Sequence, residues 1–216
     1  MMLTPQQHMG NETMLDTTPK LFLHVGCGPA RKENTTKEFS QDGWEEVRFD
    51  IDPSVSPDYV GTMTDMSAVK NDFVNAVYSS HNIEHLYPHE VTKALAEFKR
   101  VLKEDGFLVI TCPDIQEVAK LVAEDKLLEA AYISPAGPIS PLDIIFGYRA
   151  AIAQGNFYMA HRCGFTETVL RGELTAAGFP SVATIRRPQA YDLWAIATVK
   201  PMSDHTLREL ATAHFP

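Results

Sequence analysis

Three groups of residues have the types and spacing for chemistry. Gly26 and Gly28 stand one residue apart directly after the apolar run Leu21-Phe22-Leu23-His24-Val25. Lacking a Cβ, each can take positive φ and let a ligand lie against the main chain, so a buried strand running into a nucleotide-cradling turn is expected. Asp50 follows 22 positions after Gly28, at the end of Glu46-Val47-Arg48-Phe49-Asp50. A carboxylate at that place can accept hydrogen bonds from both ribose hydroxyls, as in doubly wound nucleotide-binding folds. Asp52, just before Pro53, reads as a solvated strand-end carboxylate. The third group is His81-Asn82-Ile83-Glu84-His85, with His161 as a distant companion.

That third group matches the H-x-x-E-H pattern, in which a helical face presents two histidines to zinc and the glutamate activates water. The peptidase chemistry needs a helix through the motif. Here the motif directly follows the apolar stretch Val74 to Ser80 and meets Pro88 three residues on, which leaves room for about one turn. A zinc metallopeptidase is therefore disfavoured, and no metal is expected. A nicotinamide dehydrogenase is disfavoured too, because Arg31 occupies the third glycine position of G-x-G-x-x-G.

The elements that must position these residues alternate. Leu21–Val25, Glu46–Asp50, Tyr59–Gly61, Val74–Ser80 and Phe107–Pro113 read as strands, the last fully apolar as a central parallel strand should be. Between the last two, Pro88 opens a helix on which Val91, Leu95, Phe98 and Leu102 recur at helical spacing, with Gly106 beyond its end. The stretch after Gly28 has little apolar periodicity, so any helix there is expected to be short. Ile115 to Tyr132 reads as a helix, and Thr166 to Gly178 as another with Thr166 as its cap. Ser181–Arg187 and Leu193–Val199 read as a terminal antiparallel hairpin. Strands alternating with helices imply an α/β, doubly wound, mostly parallel sheet covered on both faces.

The 216 residues, 44% hydrophobic and 22% charged, suffice for one substantial core. The expected organisation is an arm over 1–20, a domain over 21–200 interrupted by an insertion at about 132–163, and a tail over 201–216 with a weak helical pattern. No apolar run reaches the roughly 18 residues of a membrane span. The first residues lack an export signal, and Cys27, Cys112 and Cys163 offer neither a disulfide framework nor a close metal pair; both point to the cytoplasm. A net charge of −9, with only Arg186-Arg187 as a small basic patch, speaks against nucleic acid.

The ordered series Val25-Gly26-Cys27-Gly28, Phe49-Asp50-Ile51-Asp52, Ser79-Ser80-His81-Asn82-Ile83-Glu84-His85-Leu86, Leu102 to Leu108, Gly164-Phe165-Thr166 and Ala177-Gly178-Phe179 resembles class I S-adenosylmethionine-dependent methyltransferases of the type 11 kind. The resemblance runs from about Leu21 to Val199. It implies a Rossmann-like seven-stranded sheet with a reversed last strand, S-adenosyl-L-methionine as cofactor, and methyl transfer by in-line displacement to a small-molecule acceptor. A non-catalytic binding or regulatory protein of the same fold is the alternative. Carried over, Gly26, Cys27 and Gly28 face the methionine part, Asp50 with Ile51 binds ribose, Asp65 with Met66 holds adenine, and Ser80 and His81 sit near the sulfonium. Two departures stand out: the weak first helix, and Asn82 where an aliphatic residue is usual.

A base is needed only if the acceptor is protonated at working pH, and His81 and His161 are the candidates, with Glu84 and His85 behind them. Glu84 and His85 read rather as groups that cap or pair at the start of the following structure, and His161 alternatively as a bridge from the insertion to the core. Tyr148, Arg149, Tyr158 and Arg162 of the insertion either line an acceptor pocket or fill surface and core.

Overall fold

The computed structural model describes residues 18–216; the expectation of an N-terminal arm lies almost entirely outside them. Seven strands form one sheet: β1 (Lys20–Val25), β2 (Trp44–Asp50), β3 (Tyr59–Val60), β4 (Val74–Ser80), β5 (Leu102–Pro113), β8 (Ser181–Arg187) and β9 (Asp192–Thr198). Their order is β3-β2-β1-β4-β5-β9-β8. The β1–β2, β1–β4, β2–β3 and β4–β5 pairs are parallel, whereas β9 runs antiparallel to both β5 and β8. The fold is thus the Rossmann-like, seven-stranded sheet with a reversed last strand.

Alternation along the strands explains why both faces are covered. Leu23, Val25, Phe49, Val77, Leu108 and Ile110 point to one face, where α1 (Pro88–Val101) buries Val91, Leu95 and Phe98, and α5 (Glu167–Ala176) buries Leu170 and Leu174. Pro88 starts α1 with its φ preset, and Glu90 Oε2 accepts from the Tyr87 amide at 2.9 Å, capping the first turn. Phe22, Ala76, Tyr78, Val109 and Ile196 point to the other face. There the expected weakness of the first helix holds, for the chain after β1 makes only a 3-10 turn at Lys32–Asn34. Phe39 fills the space, stacked on Phe22 at 4.4 Å, and α6 (Asp204–His214) closes over it from the C-terminal end of the chain. The tail that shows only a weak helical pattern is therefore part of the sheet's cover.

Two expectations need correction. The helix expected over 115–132 stops as α2 (Ile115–Ala123), because Asp125 takes φ 61° and breaks the helical path. Beyond it comes a small hairpin of β6 (Tyr132–Ser134) and β7 (Gly137–Ile139), then α3 (Pro141–Phe146) and α4 (Arg149–Ala153). Also, β5 begins at Leu102, directly at the end of α1, rather than at Phe107.

Candidate active site

Two cavities open beyond the carboxyl ends of β1, β2 and β4, where doubly wound sheets bind ligands. The first, about 390 Å³, is bordered by Gly26, Gly28, Asp50, Ile51, Asp52, Thr62, Met63, Asn82, His85, Tyr158, Met159 and Arg162, among others. The second, about 200 Å³, takes in His81, Glu84, His85, Asp143, Ile144, Tyr148, Met159, His161 and Tyr191. His85 and Met159 belong to both walls, so the cavities adjoin there.

The first cavity is built from backbone. Gly26 takes φ 64° and donates its amide to the Phe49 carbonyl at 2.8 Å, tying the turn to β2. Gly28 takes φ 50° and would meet nothing within 4 Å if it carried a Cβ; its face is open cavity. Its amide donates to Asp50 Oδ2 at 2.7 Å, and the Asp52 amide donates to Oδ1 at 2.9 Å. Asp50 is thereby held nearly buried at the cavity edge, each oxygen keeping a lone pair for a further donor. Sequence reasoning missed Arg48, which lies buried beneath the turn. Its guanidinium donates to the carbonyls of Gly28, Val55 and Ser56, joining the glycine turn to the loop after β2. The signal was present as a cation at an inward position of an alternating strand.

Not every expected contact reaches this cavity. Cys27 is buried beside it, and burial pushes its thiol up to about 11, so it stays protonated. Asp65 is exposed and accepts from the Ser67 amide at 3.1 Å, while Met66 is fully buried in the core. A turn closed by the Asp65 amide on the Thr62 carbonyl, 3.0 Å, reverses the chain, so Thr62 and Met63 face the cavity instead. Ser80 turns to Thr111 of β5, 2.8 Å between hydroxyl oxygens, and borders neither cavity. Asn82 explains its own departure from the usual pattern. Its amide nitrogen donates to the Val25 and Ser80 carbonyls, and a Cβ on Gly26 would lie 2.1 Å from its Oδ1. Gly26 is therefore required by Asn82 as well as by its φ.

The second cavity is built from side chains. After β4 the chain turns sharply, with His81 at φ 53°, and makes the single 3-10 turn Ile83–His85 that the short spacing to Pro88 allows. The Arg162 and Cys163 amides both donate to the Glu84 carbonyl, at 2.8 and 3.2 Å, clamping residues 160–163 across this turn. His81 and His161, far apart in sequence, so border one cavity. Glu84 lies between them, 1% exposed, with no hydrogen-bond donor on either oxygen; His81 Nδ1 is 3.5 Å and His161 Nε2 4.0 Å from Oε1. Burial pushes the Glu84 carboxyl up, but His81, His85 and His161 together outweigh it and hold it below the usual range. Burial lowers the His161 imidazole and favours its neutral form.

The insertion's four candidates divide. Tyr148 borders the second cavity, whereas Tyr158 and Arg162 border the first. Arg149 is drawn off by Asp143, its Nε donating to Oδ1 at 2.7 Å. The Arg186-Arg187 patch is likewise spent on Asp114, Glu117 and Asp192.

The sheet order and the site at its carboxyl edge define the fold of class I S-adenosylmethionine-dependent methyltransferases. Residues 23–110 match the family model described as a methyltransferase domain, so the resemblance read in the sequence stands. A SAM-dependent methyltransferase from Archaeoglobus fulgidus is 14% identical with a TM-score of 0.53, over 84% of this chain and 87% of that one. The CMeT domain of a citrinin polyketide synthase is 15% identical with a TM-score of 0.55, and the match spans 87% of this chain but 48% of that one. A Burkholderia thailandensis 1,6-didemethyltoxoflavin N1-methyltransferase, solved with that substrate and S-adenosylhomocysteine bound, is 16% identical with a TM-score of 0.50, over 83% of this chain and 71% of that one. No curated protein sequence matches the chain.

Proposed function

We propose that the chain transfers a methyl group from S-adenosyl-L-methionine to a small-molecule acceptor by in-line displacement. The observation that carries this reading is the first cavity, in which an open positive-φ glycine and a buried carboxylate face the same space. The fit is chemical: a carboxylate with lone pairs to spare suits ribose hydroxyls, the open glycine face lets a ligand lie against the main chain, and the cavity size suits a nucleoside. When bound, the cofactor supplies a methyl group already activated on a sulfonium.

The chain's own part is then to hold, orient and exclude water. Gly28 and Asp50 would hold the adenosine, and Thr62 and Met63 replace Asp65 and Met66 as the residues nearest an adenine. The wall shared at His85 and Met159 is where the reacting atoms would meet, with the acceptor in the second cavity. His81 and His161 border that cavity and would receive a proton if the acceptor carries one. That the Burkholderia enzyme is a 1,6-didemethyltoxoflavin N1-methyltransferase with that compound bound supports a small-molecule acceptor. The net charge of −9 and the paired Arg186 and Arg187 speak against nucleic acid. Among the described residues no helix is long and apolar enough to cross a membrane, and a cytoplasmic setting fits the free cysteines.

Calorimetric titration with S-adenosylmethionine and S-adenosylhomocysteine tests the reading. Saturable binding of both, weakened at least about 10-fold in Asp50→Ala, is expected from the loss of a charged hydrogen-bond acceptor. Absence of binding would end the methyl-transfer account, and binding with no turnover on broad acceptor panels would favour the non-catalytic alternative.

A further inference from the structure

The proposed function does not explain why a buried carboxylate should lie without a donor between imidazoles. A carboxylate removed from water costs several kcal/mol unless it is paired or hydrogen-bonded. Glu84 is 1% exposed and receives no hydrogen bond at either oxygen; its nearest compensating group is the His81 ring, 3.5 Å from Oε1 and itself half exposed. The two imidazoles beside it are oriented from behind. His161 Nδ1 lies 2.8 Å from the Ile144 carbonyl and His85 Nδ1 lies 3.2 Å from the Ala160 carbonyl. A carbonyl can only accept, so both rings carry a proton on Nδ1, and in a neutral ring so held the Nε2 lone pair is the one free to bind a metal. An Nδ1–H held by a backbone carbonyl is the usual support of a metal-ligating histidine. One donor atom from each of Glu84, His85 and His161 lies within 4.8 Å of the other two.

We infer that Glu84, His85 and His161 bind one divalent transition-metal cation at the wall between the two cavities. The donors are two neutral imidazole nitrogens and one carboxylate oxygen, a set suited to zinc, iron(II), cobalt(II) or manganese(II) rather than to soft monovalent copper. Cys163 is nearby, its sulfur 3.8 Å from the Glu84 carbonyl oxygen, but it is not among the side chains whose donor atoms lie within 4.8 Å of one another. Metal bonds of about 2.0–2.2 Å require the three donors to close in by several tenths of an ångström, which side-chain rotation can supply. Three protein ligands leave a position open toward the second cavity, where an acceptor oxygen or nitrogen could be polarised.

This site is not that of the H-x-x-E-H peptidases. In those, both motif histidines ligate from one helical face; here the turn Ile83–His85 lets only its last histidine ligate, and the third donor comes from residue 161. The glutamate serves as ligand rather than base, His161 with its Nε2 on the metal has no lone pair left for a proton, and the role of base falls to His81, half exposed at the rim. The expectation of no metal rested on the missing helix; a donor arriving from residue 161 was outside its reach.

The test uses the untagged full chain, stripped with a chelator and titrated with zinc against a chromogenic chelator, without any adenosyl compound. One equivalent bound with sub-micromolar affinity is expected. Glu84→Gln and His161→Ala should each weaken it about 100-fold or more, and His205→Ala, an exposed histidine elsewhere, should not. If either variant fails to fold, imidazole nitrogen resonances of the wild-type chain decide: zinc must shift two histidines, assigned as His85 and His161. No saturable zinc binding, unchanged affinity in folded Glu84→Gln and His161→Ala, or shifts on other histidines would overturn the inference. Adenosylmethionine titrated into the metal-free chain reports separately on the proposed function, so the two can fail independently.

Discussion

The two adjoining cavities are made differently. On its β1–β2 side the first is bordered by main chain held by main chain and one buried cation: Gly26 and Gly28, the Asp50 carboxylate pinned by two amides, and Arg48 beneath. The second is bordered by side chains from two segments far apart in sequence, brought together by amides of residues 162 and 163 on the Glu84 carbonyl. A cavity of the first kind should resist change in its lining and fail through its frame. One of the second kind should fail at the few backbone positions that bring its segments into register.

The largest effect tests the frame. Arg48→Met removes the donor to three carbonyls while keeping the aliphatic bulk, so it should cost about 3 to 5 kcal/mol. Urea denaturation measures this, and affinity for S-adenosylhomocysteine should fall in parallel because the Gly28 turn loses its anchor. A loss under about 1 kcal/mol would mean that the turn stands without Arg48.

The pH range over which the cavities can be compared is bounded by the aromatic face. His214 is buried against Phe39 and Phe107, and burial lowers its pKa to about 4 from 6.5. The folded state therefore favours the neutral ring. Its contribution is complete above pH 6.5, declines as pH falls through that value, and stops declining near pH 4, for a total of about 3 kcal/mol. Urea midpoints of the wild type and His214→Phe at pH 7.5, 5.5 and 4.5 should diverge by that order. Parallel curves would place the acid sensitivity elsewhere.

The second cavity's register is tested at Gly147, between Ile144 and Tyr148, which both border it. It takes φ 96°, and a Cβ there would lie 1.9 Å from the Met159 carbonyl oxygen. Backbone cannot yield as a flexible side chain can, so Gly147→Ala should cost about 2 to 3 kcal/mol, felt as local opening. Hydrogen exchange should rise over 141–161, while affinity for S-adenosylhomocysteine, whose cavity meets this segment only at its 156–159 edge, should fall by less than about 10-fold. A matching loss of cofactor affinity would show that the cavities are one unit.

The same difference explains what could be read from the sequence. Strand-turn-strand punctuation is local: Gly26, Gly28 and Asp50 announce a backbone cradle through residue type and a spacing of 22, and β4 has the bounds its apolar run implies. Local signals say less where a short turn decides direction. Asp65 and Met66 sit three residues past the positions that face the cavity, because the Thr62–Asp65 turn reverses the chain. Arg48 was passed over because a cation in a strand looks like a surface residue until its three carbonyl partners are known. His81 and His161 could be named singly, but nothing local says that Glu84 stands between them. That depends on contacts across some 80 residues, which periodicity does not encode.

The smallest effect on stability should carry the clearest effect on binding. Gly28 takes φ 50° with nothing within 4 Å of where a Cβ would sit, so Gly28→Ala meets no clash and pays only for the left-handed backbone, about 1 kcal/mol. Its methyl group would nevertheless project into the space where a ligand lies closest to the main chain. Affinity for S-adenosylhomocysteine should therefore drop about 10-fold or more, out of proportion to the small shift in the urea midpoint, because a methyl group holds off the ligand along the whole turn. Gly26→Ala offers the contrast. There the Cβ meets Asn82 at 2.1 Å, and pairing it with Asn82→Ala should return part of the lost stability. If Gly28→Ala binds as tightly as the wild type, the open face of the turn is not where the nucleoside lies, and the first cavity loses its claim to the cofactor.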